Sequence, residues 1–95
     1  MERVETTFNS DFAIADAFGV KAIKDTFKNA FDSWKGNYKY LTELVMVLNH
    51  RCWYWHHRNN AEFSKLYSDL FYKAQDYAYA HLKGEELDFF FSVTD

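Results

Sequence analysis

Residues 38–58 read YKYLTELVMVLNHRCWYWHHR, and the spacing of the apolar residues in this stretch decides the fold class. Five of them recur at alternating steps of four and three, the period of one face of an α-helix: Leu41, Val45, Leu48, Cys52 and Trp55. Leu44 and Val47 widen the same face. The stretch therefore predicts an amphipathic helix over residues 38–58, with its apolar side packed against the rest of the chain.

Two further stretches show the same helical period. Residues 20–35 place five apolar residues on one face: Val20, Ile23, Phe27, Ala30 and Trp34. Residues 61–83 do the same with Phe63, Leu66, Leu70, Ala74 and Tyr77, behind Asn60 as a predicted N-cap. The chain has no proline, so glycines and asparagines separate these stretches. Because such short connections join helices in antiparallel pairs, we predict an all-α bundle of three main antiparallel helices.

The two ends of the chain give weaker patterns. We expect Ser10 to cap a short helix over residues 11–18, although Phe8, Phe12 and Ile14 also alternate with a period of two. Residues 85–87 resemble a helix start, whereas residues 89–94 (FFFSVT) are rich in strand formers. We predict a short helical segment at each end, and residues 1–95 as a single helical domain.

The composition excludes several classes of protein. Among 95 residues there are 3 Trp, 7 Tyr and 10 Phe, and only 26% of the chain is charged, which is not the composition of a disordered protein. The single cysteine excludes a disulfide scaffold and a four-cysteine zinc site. The longest apolar run, residues 44–48, is far too short to span a membrane. Residues 1–5 are polar and acidic, so we expect no secretory signal and a cytoplasmic protein.

The charge pattern argues against a nucleic-acid partner. The net charge is −3, with a basic stretch over residues 20–40 between acidic ends. Nucleic-acid binders normally present a net basic face. Arg51 and Arg58 lie among aromatic residues and offer base-stacking chemistry, but the presence of only two arginines here in an acidic chain argues against that role.

The densest cluster of chemically active side chains lies in residues 49–58. One hypothesis is a metal site formed by His50, Cys52, His56 and His57, with an acidic partner from the next helix. No established metalloprotease or Cys-x-x-Cys spacing is present. A catalytic cysteine is not expected, because Cys52 falls on the buried seam and no glycine-rich loop offers an oxyanion site beside it. We therefore predict no enzymatic activity and no cofactor, and keep metal binding as the alternative.

The aromatic residues that fall outside the predicted core faces of the helices favour a protein–protein interface. Trp53, Tyr54 and Trp55 are consecutive and fan out over about 200° on a helix, so one core seam cannot take all three. Aromatic residues, Met and Arg are enriched at interfaces. The candidate interface residues are Met46, His50, Trp53, Tyr54, His57, Tyr72 and Tyr79. We expect self-association, with a homodimer as the simplest assembly; the competing interpretation is that the terminal segments fold over these rings.

Three segments resemble small uncharacterised helical proteins of gut Bacteroidetes and their mobile elements. They are residues 11–19 (DFAIADAFG), 40–50 (YLTELVMVLNH) and 82–87 (LKGEEL). None of these segments is a catalytic motif. The resemblance implies a bacterial cytoplasmic setting and carries no activity and no site residue with it.

Overall fold

The computed structural model describes residues 3–94, and within that range the fold is all-α, as the sequence predicts. Five helices follow one another along the chain: α1 (Phe8–Asp16), α2 (Val20–Asp32), α3 (Tyr38–His57), α4 (Ala61–His81) and α5 (Glu85–Thr94). No strand occurs among these residues. None of the five helices combines the length and apolar composition that crossing a bilayer requires.

The two longest helices begin where the sequence predicts. The side chain of Asn37 accepts a hydrogen bond from the Lys39 N–H group at the start of α3. Asn60 is the predicted N-cap of α4, and its side chain accepts from the Phe63 N–H group at 3.0 Å. Each bond satisfies a backbone donor that has no partner within its own helix.

Helix α2 ends at Asp32, three residues earlier than predicted. The Ser33 hydroxyl donates to the Ala30 carbonyl at 2.6 Å, and Lys35 has a φ of 40°, in the left-handed region. A right-handed helix cannot pass through that conformation. Trp34 therefore lies outside the helix, where its half-buried ring meets the Tyr77 ring edge-on at 5.6 Å.

Both terminal segments are helical, and burial of phenylalanine explains their extent. Helix α1 begins at Phe8, so Ser10 lies inside its first turn and is not the N-cap. The earlier start places Phe8 and Phe12 one turn apart on the buried side of α1. In α5, Phe89 and Phe90 are buried, and their packing overrides the strand preference of residues 89–94.

The core surrounds α3, which packs most extensively against α4 and also contacts α1, α2 and α5. The fully buried side chains include aromatic residues from α1, α4 and α5 and aliphatic residues from α2 and α3: Phe12, Tyr67, Phe89, Phe90, Ile23, Leu41, Leu44, Val45 and Leu48. Cys52 and Trp55, predicted on the α3 seam, are half-buried and pack against the edge of this core. The terminal helices thus complete a core that the three longer helices leave open.

Candidate interaction surface and a buried polar cluster

Two of the predicted interface residues line one groove between α3 and α4. Trp53 on α3 is 53% exposed and Tyr72 on α4 is 57% exposed. The groove has a volume of about 310 Å³. Its other lining residues come from the same two helices: Asn49, Cys52, His56, Ser64, Ser68 and Phe71. The structure therefore brings together two large rings that are 19 positions apart in the sequence.

The exposed rings continue from this groove towards α5. Tyr72 and Tyr79 are seven residues apart, so they share the outer face of α4 at a separation of about 10.5 Å along its axis. Tyr79 is 46% exposed, and its ring centroid lies 5.7 Å from that of Phe91, which is 39% exposed. We call Trp53, Tyr72, Tyr79 and Phe91 the aromatic stripe.

Phe91 is the member of the stripe that the sequence analysis did not single out. The run Phe89-Phe90-Phe91 could have predicted an exposed ring at this place. Three consecutive residues on a helix cannot all face one side, so at least one of the three rings points away from the core. The structure buries Phe89 and Phe90 and leaves Phe91 at the surface.

The remaining candidates on α3 flank the stripe. The Trp53 ring meets the His56 ring edge-on at 5.3 Å and lies 6.1 Å from the His57 ring. His50 is exposed and Met46 is half-buried. Trp53 is thus the centre of a mixed aromatic and imidazole surface at the C-terminal end of α3.

Tyr54 is covered within the chain. The Arg51 guanidinium lies 4.2 Å from the centroid of its ring, and the Arg58 guanidinium lies 3.8 Å from it. These are cation–π contacts at short range. Tyr54 is half-buried and is not a member of the aromatic stripe. The predicted interface residues therefore comprise exposed rings, the half-buried Met46 and one ring, that of Tyr54, which the protein covers itself.

The residues of the metal hypothesis do not assemble into a ligand set. Within residues 3–94, no three His, Cys, Asp or Glu side chains form a group that could hold a metal ion. The Cys52 Sγ atom lies 3.7 Å from the Ser64 hydroxyl oxygen. The His56 and His57 rings pack against each other and against Trp53. The hypothesis therefore gains no support from the geometry.

A buried polar cluster, absent from the sequence analysis, lies where α1 meets α3 and α4. The Asp16 carboxylate accepts hydrogen bonds from the Arg51 Nη2 atom, from the Tyr67 hydroxyl and from the Trp55 Nε1 atom, the last at 2.9 Å. The Asp16 and Arg51 side chains are each only 7% exposed. One carboxylate on α1 thus holds three donors from two other helices.

The electrostatics of this cluster keep the Tyr67 hydroxyl protonated. Burial, and then its hydrogen bond to the Asp16 carboxylate, raises the pKa of Tyr67 far above the ordinary value. The hydroxyl therefore acts as a donor throughout the physiological range. The Arg51 Nε atom is buried and has no hydrogen-bond partner among the described residues. The hydrogen bonds of this cluster join three helices.

A second ion pair ties the segment before α1 to the same central helix. The Arg3 guanidinium donates two hydrogen bonds to the Glu43 carboxylate, at 2.7 and 2.8 Å. This fork geometry is the strongest form of a charge-assisted pair. Glu43 in the first half of α3 and Arg51 in the second half therefore both anchor the N-terminal part of the chain.

The chain matches no known protein family, no curated protein and no solved structure. A functional proposal therefore depends on the geometry of the aromatic stripe and of the surfaces around it.

Proposed function

We propose that this protein is a small, non-enzymatic protein–protein interaction module that self-associates through the aromatic stripe. One observation carries the proposal: four large rings, each between 39% and 57% exposed, follow one another along the outside of α3, α4 and α5. Single exposed apolar residues are ordinary on protein surfaces, whereas several large exposed rings on neighbouring helices are typical of an interaction site.

The energy available from the stripe supports a stable contact. Removing about 100 Å² of each ring from water stabilises a complex by about 2–3 kcal/mol per ring. Bringing two molecules together costs about 4–15 kcal/mol. A homodimer places rings from both copies in the interface, so both copies contribute apolar burial that opposes this cost. Trp53 and the two tyrosines are also the residue types that dominate measured interface energies.

The proposal also covers the arrangement of the three main helices and the cellular location of the protein. We propose that α2, α3 and α4 form three antiparallel main helices, which is supported by the short connections between them. Each ring of the stripe has only two χ angles, so little side-chain entropy is lost when it binds. A bacterial cytoplasmic setting is what the resemblance of residues 11–19, 40–50 and 82–87 implies.

The proposal is tested by observing Trp53 directly. The protein is labelled with fluorotryptophan, which gives fluorine resonances for Trp34, Trp53 and Trp55. We expect the Trp53 resonance, assigned with Trp53→Phe, to move as concentration rises from micromolar to millimolar. The Trp34 and Trp55 rings are half-buried against the core and serve as internal controls. A Trp53 resonance that does not depend on concentration would contradict self-association through the stripe.

A further inference from the structure

A groove between α2 and α4 combines an apolar floor with a basic rim. We call it the lysine groove. Its volume is about 490 Å³, and its lining residues are Lys24, Phe27, Lys28, Phe31, Asp32, Leu70 and Lys73. The Lys73 ammonium lies 5.8 Å from the centroid of the Phe27 ring. The groove therefore offers a ring-lined surface surrounded by positive charge.

The lysines of this groove form no close ion pair within residues 3–94. The ion pairs in that range are Arg3–Glu43, Lys21–Asp25, Arg51–Asp16 and Lys65–Asp69. None of them includes Lys24, Lys28 or Lys73. Asp32 is the one carboxylate among the lining residues, so three positive charges face one negative charge. An occupant with negative charge and an apolar anchor fits these walls.

The outer edge of α5 has the complementary character. Helix α5 carries three acidic residues and no basic residue between Glu85 and Thr94. Glu85, Asp88 and Phe91 are all exposed and follow at steps of three, so they lie along one side of the helix. Within its own chain α5 packs against α3, which leaves this edge at the surface.

We propose that the outer edge of α5 from a second copy of the chain docks in the lysine groove. Phe91 contacts the floor formed by Phe27, Phe31 and Leu70, while Glu85 and Asp88 face the lysines of the rim. The inference rests on the proposed self-association and names the surface that receives the Phe91 end of the aromatic stripe. The charges select the orientation, and the ring supplies the apolar contact.

This contact joins two different surfaces, which determines the possible assemblies. If a two-fold axis relates the copies, each groove receives the partner's α5, the contact is made twice and the assembly closes as a dimer. Without that symmetry the contact repeats, and the copies form a closed ring or an open chain according to the rotation between neighbours. The mass of the assembly therefore distinguishes the two arrangements.

A charge-exchange experiment tests the inference. A groove-reversed chain carries Lys24→Glu and Lys28→Glu, and an edge-reversed chain carries Glu85→Lys and Asp88→Lys. Each chain alone places like charges together, so we expect its self-association to weaken by about 10- to 100-fold, measured by sedimentation velocity at low salt. In an equimolar mixture the reversed groove meets the reversed edge, and the ordinary groove meets the ordinary edge. We expect the mixture to associate as tightly as the unaltered protein.

Matched variants control for net charge and for folding. Lys21→Glu with Lys35→Glu changes the net charge by the same amount at exposed positions outside the groove, and we expect near-normal association. Circular dichroism establishes that each reversed chain keeps its helix content. If one does not, its neutral counterpart replaces it: Lys24→Gln with Lys28→Gln for the groove, or Glu85→Gln with Asp88→Asn for the edge. The expected result in either case is weakened association with a shallower salt dependence.

The outcomes separate this inference from the proposed function. If the groove-reversed chain associates normally, or if the mixture does not recover, the docking of α5 in the lysine groove is wrong. In that case loss of association in Trp53→Ala still supports the aromatic stripe. If the unaltered protein remains a monomer at every concentration, both the inference and the proposed self-association are overturned.

Discussion

Arg51 on α3 donates a hydrogen bond to Asp16 on α1 across 35 positions of sequence, and the two side chains are almost fully withdrawn from water. Burying a charged pair carries a large desolvation cost, which good geometry and further hydrogen bonds offset. Here Tyr67 and Trp55 supply those further bonds to Asp16. The pair and these two further bonds hold the C-terminal end of α1 against α3 and α4.

Removing the Asp16 carboxylate should strongly destabilise the folded protein. In Asp16→Ala the Arg51 guanidinium is left buried without a counter-charge, and we expect the free energy of unfolding in urea to fall by about 3–5 kcal/mol. Asp11→Ala is the control on the same helix, because Asp11 is exposed and bonds only the exposed Thr7 hydroxyl; we expect a loss of about 0.5 kcal/mol or less. Equal losses in the two variants would show that Asp16 does not hold the cluster together.

Replacing both Asp16 and Arg51 should lower the free energy of unfolding by less than the sum of the two single replacements. Asp16→Leu with Arg51→Met removes the charge and its partner together, so no buried ion remains unpaired. We expect a coupling energy of about 0.5–3 kcal/mol in a double-mutant cycle. Simple additivity of the two losses would contradict a direct interaction between Asp16 and Arg51.

The raised pKa of the Tyr67 hydroxyl leads us to expect a loss of stability at alkaline pH. Its pKa is raised in the folded protein, whereas in the unfolded chain tyrosine ionises near pH 10. A raised pKa contributes stability that is fully present below about pH 10 and is lost as the pH rises beyond it. Above that pH we expect the free energy of unfolding to fall by up to about 1.4 kcal/mol per pH unit more in the unaltered protein than in Tyr67→Phe. Parallel pH profiles for the two proteins would contradict this account.

Gly19, between α1 and α2, has a backbone conformation that only glycine adopts readily. Its φ is 105° and its ψ is −169°, and an added Cβ atom would meet nothing within 4 Å. The cost of Gly19→Ala is therefore backbone strain alone, about 1–3 kcal/mol in thermal or urea unfolding. Gly84 has a φ of 59°, in the milder left-handed helical region, so Gly84→Ala should cost less, about 1 kcal/mol. A larger loss at Gly84 than at Gly19 would contradict this ranking.

Much of the fold follows from periodicity and capping. The seam of Leu41, Val45 and Leu48 predicts α3, and Asn60 marks the start of α4, because both signals act within a few residues. The bounds of the helices near the two ends of the chain are harder to predict. Phe8 extends α1 because it is buried, which depends on packing and not on local propensity.

The buried polar cluster could not be predicted for a related reason. Asp16, Arg51, Trp55 and Tyr67 belong to three helices, and a helical period shows which face a residue occupies but not which helix meets that face. No local pattern in the sequence distinguishes Asp16 from an ordinary surface acid. The exposure of Trp53, Tyr72 and Tyr79 could be predicted from the sequence, because it follows from the face that each residue occupies on its own helix.

The most direct test of the proposed function is the mass of the protein in solution, measured by sedimentation velocity as concentration rises. We expect a concentration-dependent assembly larger than the 11.4 kDa chain, lost in Trp53→Ala and weakened in Tyr72→Ala, with the unfolding free energy of each variant nearly unchanged. Phe18→Ala is the control, since that ring is 79% exposed and lies outside the aromatic stripe; it should assemble normally. A monomer at every concentration, or normal assembly in Trp53→Ala, would contradict the account.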